Sequence, residues 1–426
     1  MTKKMRRQQR PAAEEIVELV LGDPAHGGAC VARDADGRVI FVRLGLPGER
    51  VRARITNSRS RLAWADVIEV LEPSPDRVAA EPQALGAELS MASPDAQRRW
   101  KTFALRQQLR RVGGEDLAQD IADVTGGEGP TVQPLPGDQG QDDPLWGRRT
   151  RARFVVDRSG RLAMRGHRSH NLVPASDYPL LDPRFAEAGV FTDDRWKQIW
   201  KHGDRVTLVG VPGGEALVLV GERAWTLEGA QADPRLHWPV GDGATFSVAA
   251  NGFWQVHREA PQTLVNAVLE AAGPLDGARV LELYSGSGLL SYFLARGVGA
   301  EGHLVTVEIS EDAVADASAN LATVNQDERA ELFVGDVDAA AISDLEIDNK
   351  FGVIILDPPR EGAGNEVTSA IGATGAHTVV LVSCDPAAGA RDLANLRRHG
   401  FRVQDIKAFD FFPHTHHFEM VTKLTR

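Results

Sequence analysis

Cysteine is nearly absent from this chain, with two among 426 residues, Cys30 and Cys384, far apart in sequence. That excludes a disulfide framework and points to a reducing compartment, the cytoplasm being the simplest. No run of about 18 apolar residues occurs, so no membrane contact is expected. The start, "MTKKMRRQQR", is basic like the head of a signal peptide, but the acidic "PAAEEIVELV" follows it. Without an apolar centre that segment does not read as secretory. An excess of positive charge is also lacking. The net charge of −11 argues, taken whole, against a nucleic-acid partner.

The charge is uneven. Residues 1–73 hold 13 Lys/Arg against 10 Asp/Glu, a net of +3, which leaves −14 for the rest. "RVRARITNSRSR" (50–61) has five arginines and no acid. It reads either as one solvated strand face or as a strip turned toward phosphates, with Arg50, Arg52 and Arg54 as the candidate RNA contacts.

What is present falls into four parts. Residues 1–13 are a basic tail. Residues 14–73 alternate short strands with turns, such as "DADGR", and predict a small β-barrel. Residues 74–245 open with the proline-bearing "EPSPDRVAAEP" (72–82) and a helix over 94–112, whose Leu105, Leu109 and Val112 share one face. The helix is expected to pack on the last part, and the remainder of this region is β-rich. Residues 246–426 repeat apolar strands at spacings of 20 to 30 residues, with helices between several of them. That alternation predicts an α/β fold with a doubly wound, mostly parallel seven-stranded sheet.

Ligands on such sheets bind outside the carboxyl ends of the strands. The residues there are Gly286 and Gly288 in "LELYSGSG", Glu308 in "VTVEIS", Asp336 in "LFVGD", Asp357 in "LDPPREG" and Cys384 in "LVSCDPAAGARDL". Two glycines after a strand permit a tight turn and a close ligand. An acid after the second strand can accept from both ribose hydroxyls. Ser291 stands where a dinucleotide fingerprint needs its third glycine, so that fingerprint fails.

These motifs, with "FSVAANGFWQVH" (246–257) and "FDFFPHTHHFEMVTKL" (409–424), resemble those of the RNA uracil-C5 methyltransferases, a class I S-adenosylmethionine-dependent family. The first domain resembles the TRAM domain that many members carry. The resemblance implies a Rossmann-like catalytic domain, S-adenosylmethionine as cofactor, and structured RNA, tRNA or rRNA, as partner of a monomeric enzyme. It matches Gln255, Tyr284, Glu308 and Asp357 to cofactor-contacting positions, sets Asp336 by the adenine, and makes Cys384 the nucleophile and Glu419 the general base. Two departures stand out. Leu289 replaces a residue that is polar in many members. The segments 81–101 and 175–180 resemble the hosts of the family's iron–sulfur cluster but hold Ala84, Ala87, Ser90 and Tyr178 rather than cysteines, so no cluster is expected.

The implied chemistry needs a thiol. Uracil C5 is a poor nucleophile until a thiolate adds to C6, and a thiol also leaves well. A base must then take the C5 proton. The helix after Pro386 is expected to lower the Cys384 pKa through its dipole, with Asp385 opposing it. Cys30 reads as a buried hydrophobe. "HTHH", placed on a strand, divides its histidines between two faces, and no metal is expected. Phe411 and Phe412 read equally as base-stacking or packing residues. The alternatives are an amino-group nucleic-acid methyltransferase, which leaves Cys384 and Glu419 idle, and a catalytically idle RNA-binding or RNA-folding protein.

Overall fold

A computed structural model describes residues 15–59, 61–79, 85–140, 144–166, 171–241, 243–323 and 327–426. The basic tail at 1–13 and Ala84 lie outside them.

In the catalytic part, strand β1 is Arg279–Leu283, β2 His303–Glu308, β3 Ala330–Val334 and β4 Val353–Leu356. β5 is Thr378–Ser383, β6 Arg402–Phe409 and β7 Glu419–Thr425. They lie in the order β3-β2-β1-β4-β5-β7-β6. β1 to β5 run parallel, and β7 is antiparallel to β5 and β6. β4 ("VIIL") and β5 ("TVVLVS") are buried throughout, the pattern of strands covered on both faces. The seven expected strands gain an eighth, Val132–Gln133, which pairs with Ala408 and Phe409 at the end of β6.

That extra strand comes from the region between the first domain and the catalytic motifs, as do helices α1 (Pro94–Gly113) and α2 (Glu115–Val124). The Ser93 side chain caps α1 by accepting from Ala96 N at 3.3 Å, with Pro94 next to it. α1 buries Trp100, Leu105 and Leu109. It packs on helix α3 (Pro386–Arg398), the helix after β5. Arg397 of α3 reaches Asp120 of α2 at 2.8 Å and Asp116 at 3.0 Å. The change in sequence grammar set a boundary at 245, and a paired ribbon crosses that position. Strands Arg235–Val240 and Ala244–Ala249 form one ribbon, whose Leu236, Trp238, Phe246 and Val248 join the catalytic core. Side-chain packing ignores the change in strand spacing that marked the boundary.

The first domain is a six-stranded sheet with the alternation a half-buried strand requires. In Arg50–Arg59, Val51 and Ala53 are buried while Arg52 and Arg54 are exposed. The segment after it is anchored, because Arg77 pairs with the fully buried Glu49 at 2.6 Å. A seven-stranded sheet spanning Arg151 to Ala232 forms the β-rich middle.

One buried ion pair ties α1 to the C-terminal strands. Lys101 Nζ donates to Asp410 and, at 3.0 Å, to the Phe412 carbonyl oxygen. Lys101 is wholly buried; burial lowers its pKa and the Asp410 carboxylate opposes that. Lys101→Met leaves Asp410 uncompensated in the core and is expected to cost about 3–5 kcal/mol in denaturant unfolding. Lys101→Met combined with Asp410→Leu should recover most of that loss. Equal instability of the single and double variants would show that the pair is not the linkage.

Candidate active site

Cys384 directly follows β5 and Glu419 opens β7. These strands are antiparallel, with Ser383 opposite Met420. One residue nearer the rim, the same register sets Cys384 across from Glu419. Neighbouring strands lie about 4.8 Å apart, so thiol and carboxyl are within side-chain reach. Phe409 of β6 flanks Glu419 on its other side. Asp357 follows β4, whose Leu356 is level with Leu381 of β5.

The loop after β4 is pinned to α3. Asp392 accepts from Ala363 N at 2.8 Å and Gly364 N at 3.1 Å. Arg391 donates to the Glu361 carbonyl oxygen at 3.2 Å. Gly362 has φ 86°, and a Cβ there would lie 2.5 Å from Asp392 Oδ2, so glycine is required. At Gly389 a Cβ would lie 2.5 Å from Ser383 Oγ, so glycine lets α3 close down on the end of β5. "LDPPREG" and "SCDPAAGARDL" are therefore one mechanical unit.

Asp385, not Cys384, takes the start of α3. Its carboxylate accepts from Ala387 N at 3.0 Å and Ala388 N at 2.8 Å, and His26 of the first domain reaches it at 3.3 Å. Burial pushes Asp385 up, but His26 and these N–H groups outweigh that and hold it down at about 2. The expected lowering of the Cys384 pKa does not occur. Burial, then Glu419 and Asp357, push the half-buried thiol up to about 12, with Arg360 opposing. Burial also holds Glu419 well above the usual carboxylate range, Asp357 adds to that, and Arg360 again opposes. Burial alone raises Asp357 to about 7. Glu419 Oε1 is buried with no hydrogen-bond partner among the described residues. Arg360 escaped the sequence reading, although a single cation among acids in "LDPPREG" was the available signal.

The other predicted positions gather at the ends of β1, β2 and β3. Tyr284, Gly286 and Gly288 follow β1 with φ of 64°, 56° and 82°. A Cβ at Gly286 would meet nothing within 4 Å, whereas one at Gly288 would meet Ala317 Cβ at 2.8 Å. Gly286 thus faces open space, and Gly288 allows the helix over Leu289–Gly297 to pack. Glu308 accepts from Gly286 N at 3.0 Å and Ser310 N at 2.9 Å. Each carboxylate oxygen keeps a lone pair for a further donor. Asp336 is exposed just beyond β3. Exposed Ile309 and Phe333 add an apolar wall that the sequence reading missed; its signal was apolar residues at strand ends. This open turn, fixed acid and apolar wall fit an adenosine group. Gln255 is buried and its carbonyl oxygen accepts from Thr150. Leu289 is packed in the core, which removes it from this surface. Ser291, at the position of the missing glycine, donates to the buried Glu282 at 2.6 Å.

Several readings change. Residues 414–417 form turns, not a strand. His414 stacks on Trp146 at 3.7 Å, His416 pairs with Glu88, and His417 lies against His416 at 3.9 Å. Phe411 is a core residue and only Phe412 is partly exposed. Cys30 is buried, and its thiol donates to the Gly45 carbonyl oxygen at 3.5 Å. Ala87 and Tyr178 share one apolar core. The first two arginines of the strip are compensated. Arg50 pairs with Glu72 at 2.7 Å, and Arg52 with Glu69 at 2.9 Å and Glu18 at 3.1 Å. Neighbouring strands supply the acids that the strip itself lacks.

Comparison with known proteins agrees with this geometry. The family model of tRNA (uracil-5-)-methyltransferases matches residues 239–426, and the TRAM domain model matches 15–68. An RNA methyltransferase of Streptomyces avermitilis is 35% identical, with 96% of this chain and 98% of that one aligned. The 23S rRNA (uracil(1939)-C(5))-methyltransferase RlmD of Alkalilimnicola ehrlichii is 30% identical, with 99% of each covered. The crystal structure of the Pyrococcus abyssi tRNA (uracil-54, C5)-methyltransferase with S-adenosyl-L-homocysteine shares the fold. Its TM-score is 0.69 at 21% identity, covering 96% of this chain and 100% of that one. With a rim of thiol and carboxyls on a methyltransferase sheet, and relatives matching along almost its whole length, the chain belongs to the RNA uracil-C5 methyltransferases, S-adenosylmethionine-dependent enzymes, and carries a TRAM domain at its N-terminal side.

Proposed function

We propose that the enzyme methylates its uridine through a covalent adduct on Cys384, resolved by Glu419. The observation that carries this reading is the β5–β7 register, Ser383 against Met420, which continued by one residue sets Cys384 across from Glu419. S-Adenosylmethionine supplies an electrophilic methyl group. Glu308, the 284–288 turn and the apolar wall hold its adenosine, with Asp336 beside the adenine. Gln255 and Asp357 serve the same cofactor. Cys384 gives up its thiol proton to solvent as Sγ bonds to C6 of the base, the electron pair of the C5–C6 double bond moves toward C5 and O4, and C5 then takes the methyl group with release of S-adenosylhomocysteine. Once C5 carries the methyl group, Glu419 takes the C5 proton. The double bond re-forms and Cys384 leaves as thiolate. An amino-group methyltransferase has no use for this thiol–carboxyl pair.

For the RNA, the full-length relative that acts on 23S rRNA makes that molecule the substrate of choice, since the tRNA enzyme supports the fold alone. Methyl transfer from labelled S-adenosylmethionine to 23S rRNA and tRNA transcripts, followed by nucleoside mass spectrometry, tests both. 5-Methyluridine in tRNA only would overturn the choice of rRNA, and methylated amino groups would overturn the reaction.

Cys384→Ala is expected to lower turnover at least a thousandfold while S-adenosylmethionine binding persists; substantial residual activity would sink the covalent route. Glu419→Gln should trap a methylated protein–RNA adduct, visible as a denaturant-resistant band. Normal release of product would assign the proton to another group.

The raised thiol gives a pH test. Below about 12 the thiolate fraction grows about tenfold per pH unit, so alkylation of Cys384 by iodoacetamide should follow that slope from pH 7 to 9. Asp357→Asn removes a negative charge that exists mainly above pH 7. It should speed alkylation at pH 8.5 and change little at pH 6. Equal effects at both values would remove Asp357 from the electrostatics of the thiol.

A further inference from the structure

The basic surface expected on the first domain is offset by glutamates, yet a stronger one stands on α1. Over Pro94–Gly113 the helix holds Arg98, Arg99, Lys101, Arg106, Arg110 and Arg111 against a single acid, Asp95. That is +5 in a chain whose total is −11. Lys101 is buried. The arginines line one wall of an open groove of about 1850 Å³, and α2 with residues 127–132 forms the other. Asp95, Arg99, Thr102, Arg106 and Arg110 follow one another at three- and four-residue steps, so they form a single stripe. Phe103 and Gln107 lie half-buried beside it.

The pairing of these arginines differs from that in the first domain. Arg98 meets Asp95, and Arg99 meets Asp76 at 2.6 Å. Arg106 binds carbonyl oxygens of Pro130 and Gly129, both at 3.0 Å, so its charge stays uncancelled. Arg110 and Arg111 are exposed and make no ion pair among the described residues. Glu128 is the acid on the facing wall. Two arginines at a helix end also suit its dipole. That accounts for the last turn, and leaves unexplained a concave wall with a half-exposed aromatic ring and a third uncancelled cation.

The groove is linked to the catalytic rim through the elements that form it. Its floor includes Val132, which pairs with Ala408 at the end of β6. The start of α1 is bound to the turn at 410–414 through Lys101 and Gln97. Three strand spacings, about 14 Å, separate Cys384 from Val132. Lys101 to Arg110 adds about 14 Å along the helix.

We propose that this groove binds the phosphate backbone of the substrate RNA, about 30 Å or less from the target uridine. The proposal rests on the reading that the substrate is structured RNA. It makes Arg110 and Arg111, with Arg106, the contacts that the charge of the first domain does not provide.

The test is the salt dependence of binding to a fluorescein-labelled 23S rRNA transcript, for the full chain and for Arg110→Gln/Arg111→Gln. Both replacements are good helix formers at exposed positions, so the fold is kept. The expected result is affinity lower by about tenfold and a slope of log affinity against log salt smaller by about 1.4 to 1.8, for two lost phosphate contacts. S-Adenosylmethionine affinity should not change. Arg158→Gln/Arg205→Gln removes the same charge from the middle domain and should leave the slope as it was. Unchanged RNA affinity and slope in the Arg110/Arg111 variant would overturn the proposal and return the groove to a peptide partner or to solvent. An equal loss in both double variants would also overturn it, as an effect of net charge alone. Methyl transfer to the same transcript is read separately. A full methylation rate with an unchanged slope condemns the groove and spares the enzyme reading. A reduced slope without methyl transfer does the reverse.

Discussion

Two carboxyl groups and a thiol share one largely buried rim, and the cost of charging them together governs the rest of the site. Asp357, Glu419 and Cys384 lie where burial raises the pKa of all three; the Asp357 carboxylate raises Glu419 further, and both carboxyls raise Cys384. Arg360 is the nearby cation that opposes this. Burial therefore favours the protonated forms of Cys384 and Glu419. A thiol that stays protonated is protected from oxidation between turnovers, and a carboxyl held in the same form has to lose its proton before it can accept another.

Keeping such a rim in place needs stiff surroundings. α3 is brought against the strand ends by Gly389, pinned to the loop after β4 by Asp392, and capped by Asp385. His26 reaches that same cap from the first domain. The TRAM domain thus touches the residue next to Cys384. α1 adds a second brace through Lys101 and Asp410, and it presents its arginine face outward from the same position.

Much of this was legible in the chain. Alternating apolar strands and helices determined the doubly wound sheet, because burial on both faces demands such runs. The residues closing those runs marked the rim, since ligands collect at strand ends. Glu308, Gly286, Asp357, Cys384 and Glu419 could all be named from that logic and from the family motifs. Exposed Ile309 and Phe333 could have been added by the same rule.

Tertiary structure alone decided the rest, because charge and burial depend on neighbours distant in sequence. The arginines at 50–54 looked unopposed until adjacent strands brought Glu18, Glu69 and Glu72 alongside. The Cys384 thiol was expected to be acidified by a helix, but Asp385 occupies that helix end and two carboxyls crowd the sulfur. Val132–Gln133 has no strand signature of its own and becomes one by pairing with the open edge of β6. Local pattern determined which elements form and which residues end them. Which charges meet, and which stay uncancelled, was settled only by packing them together.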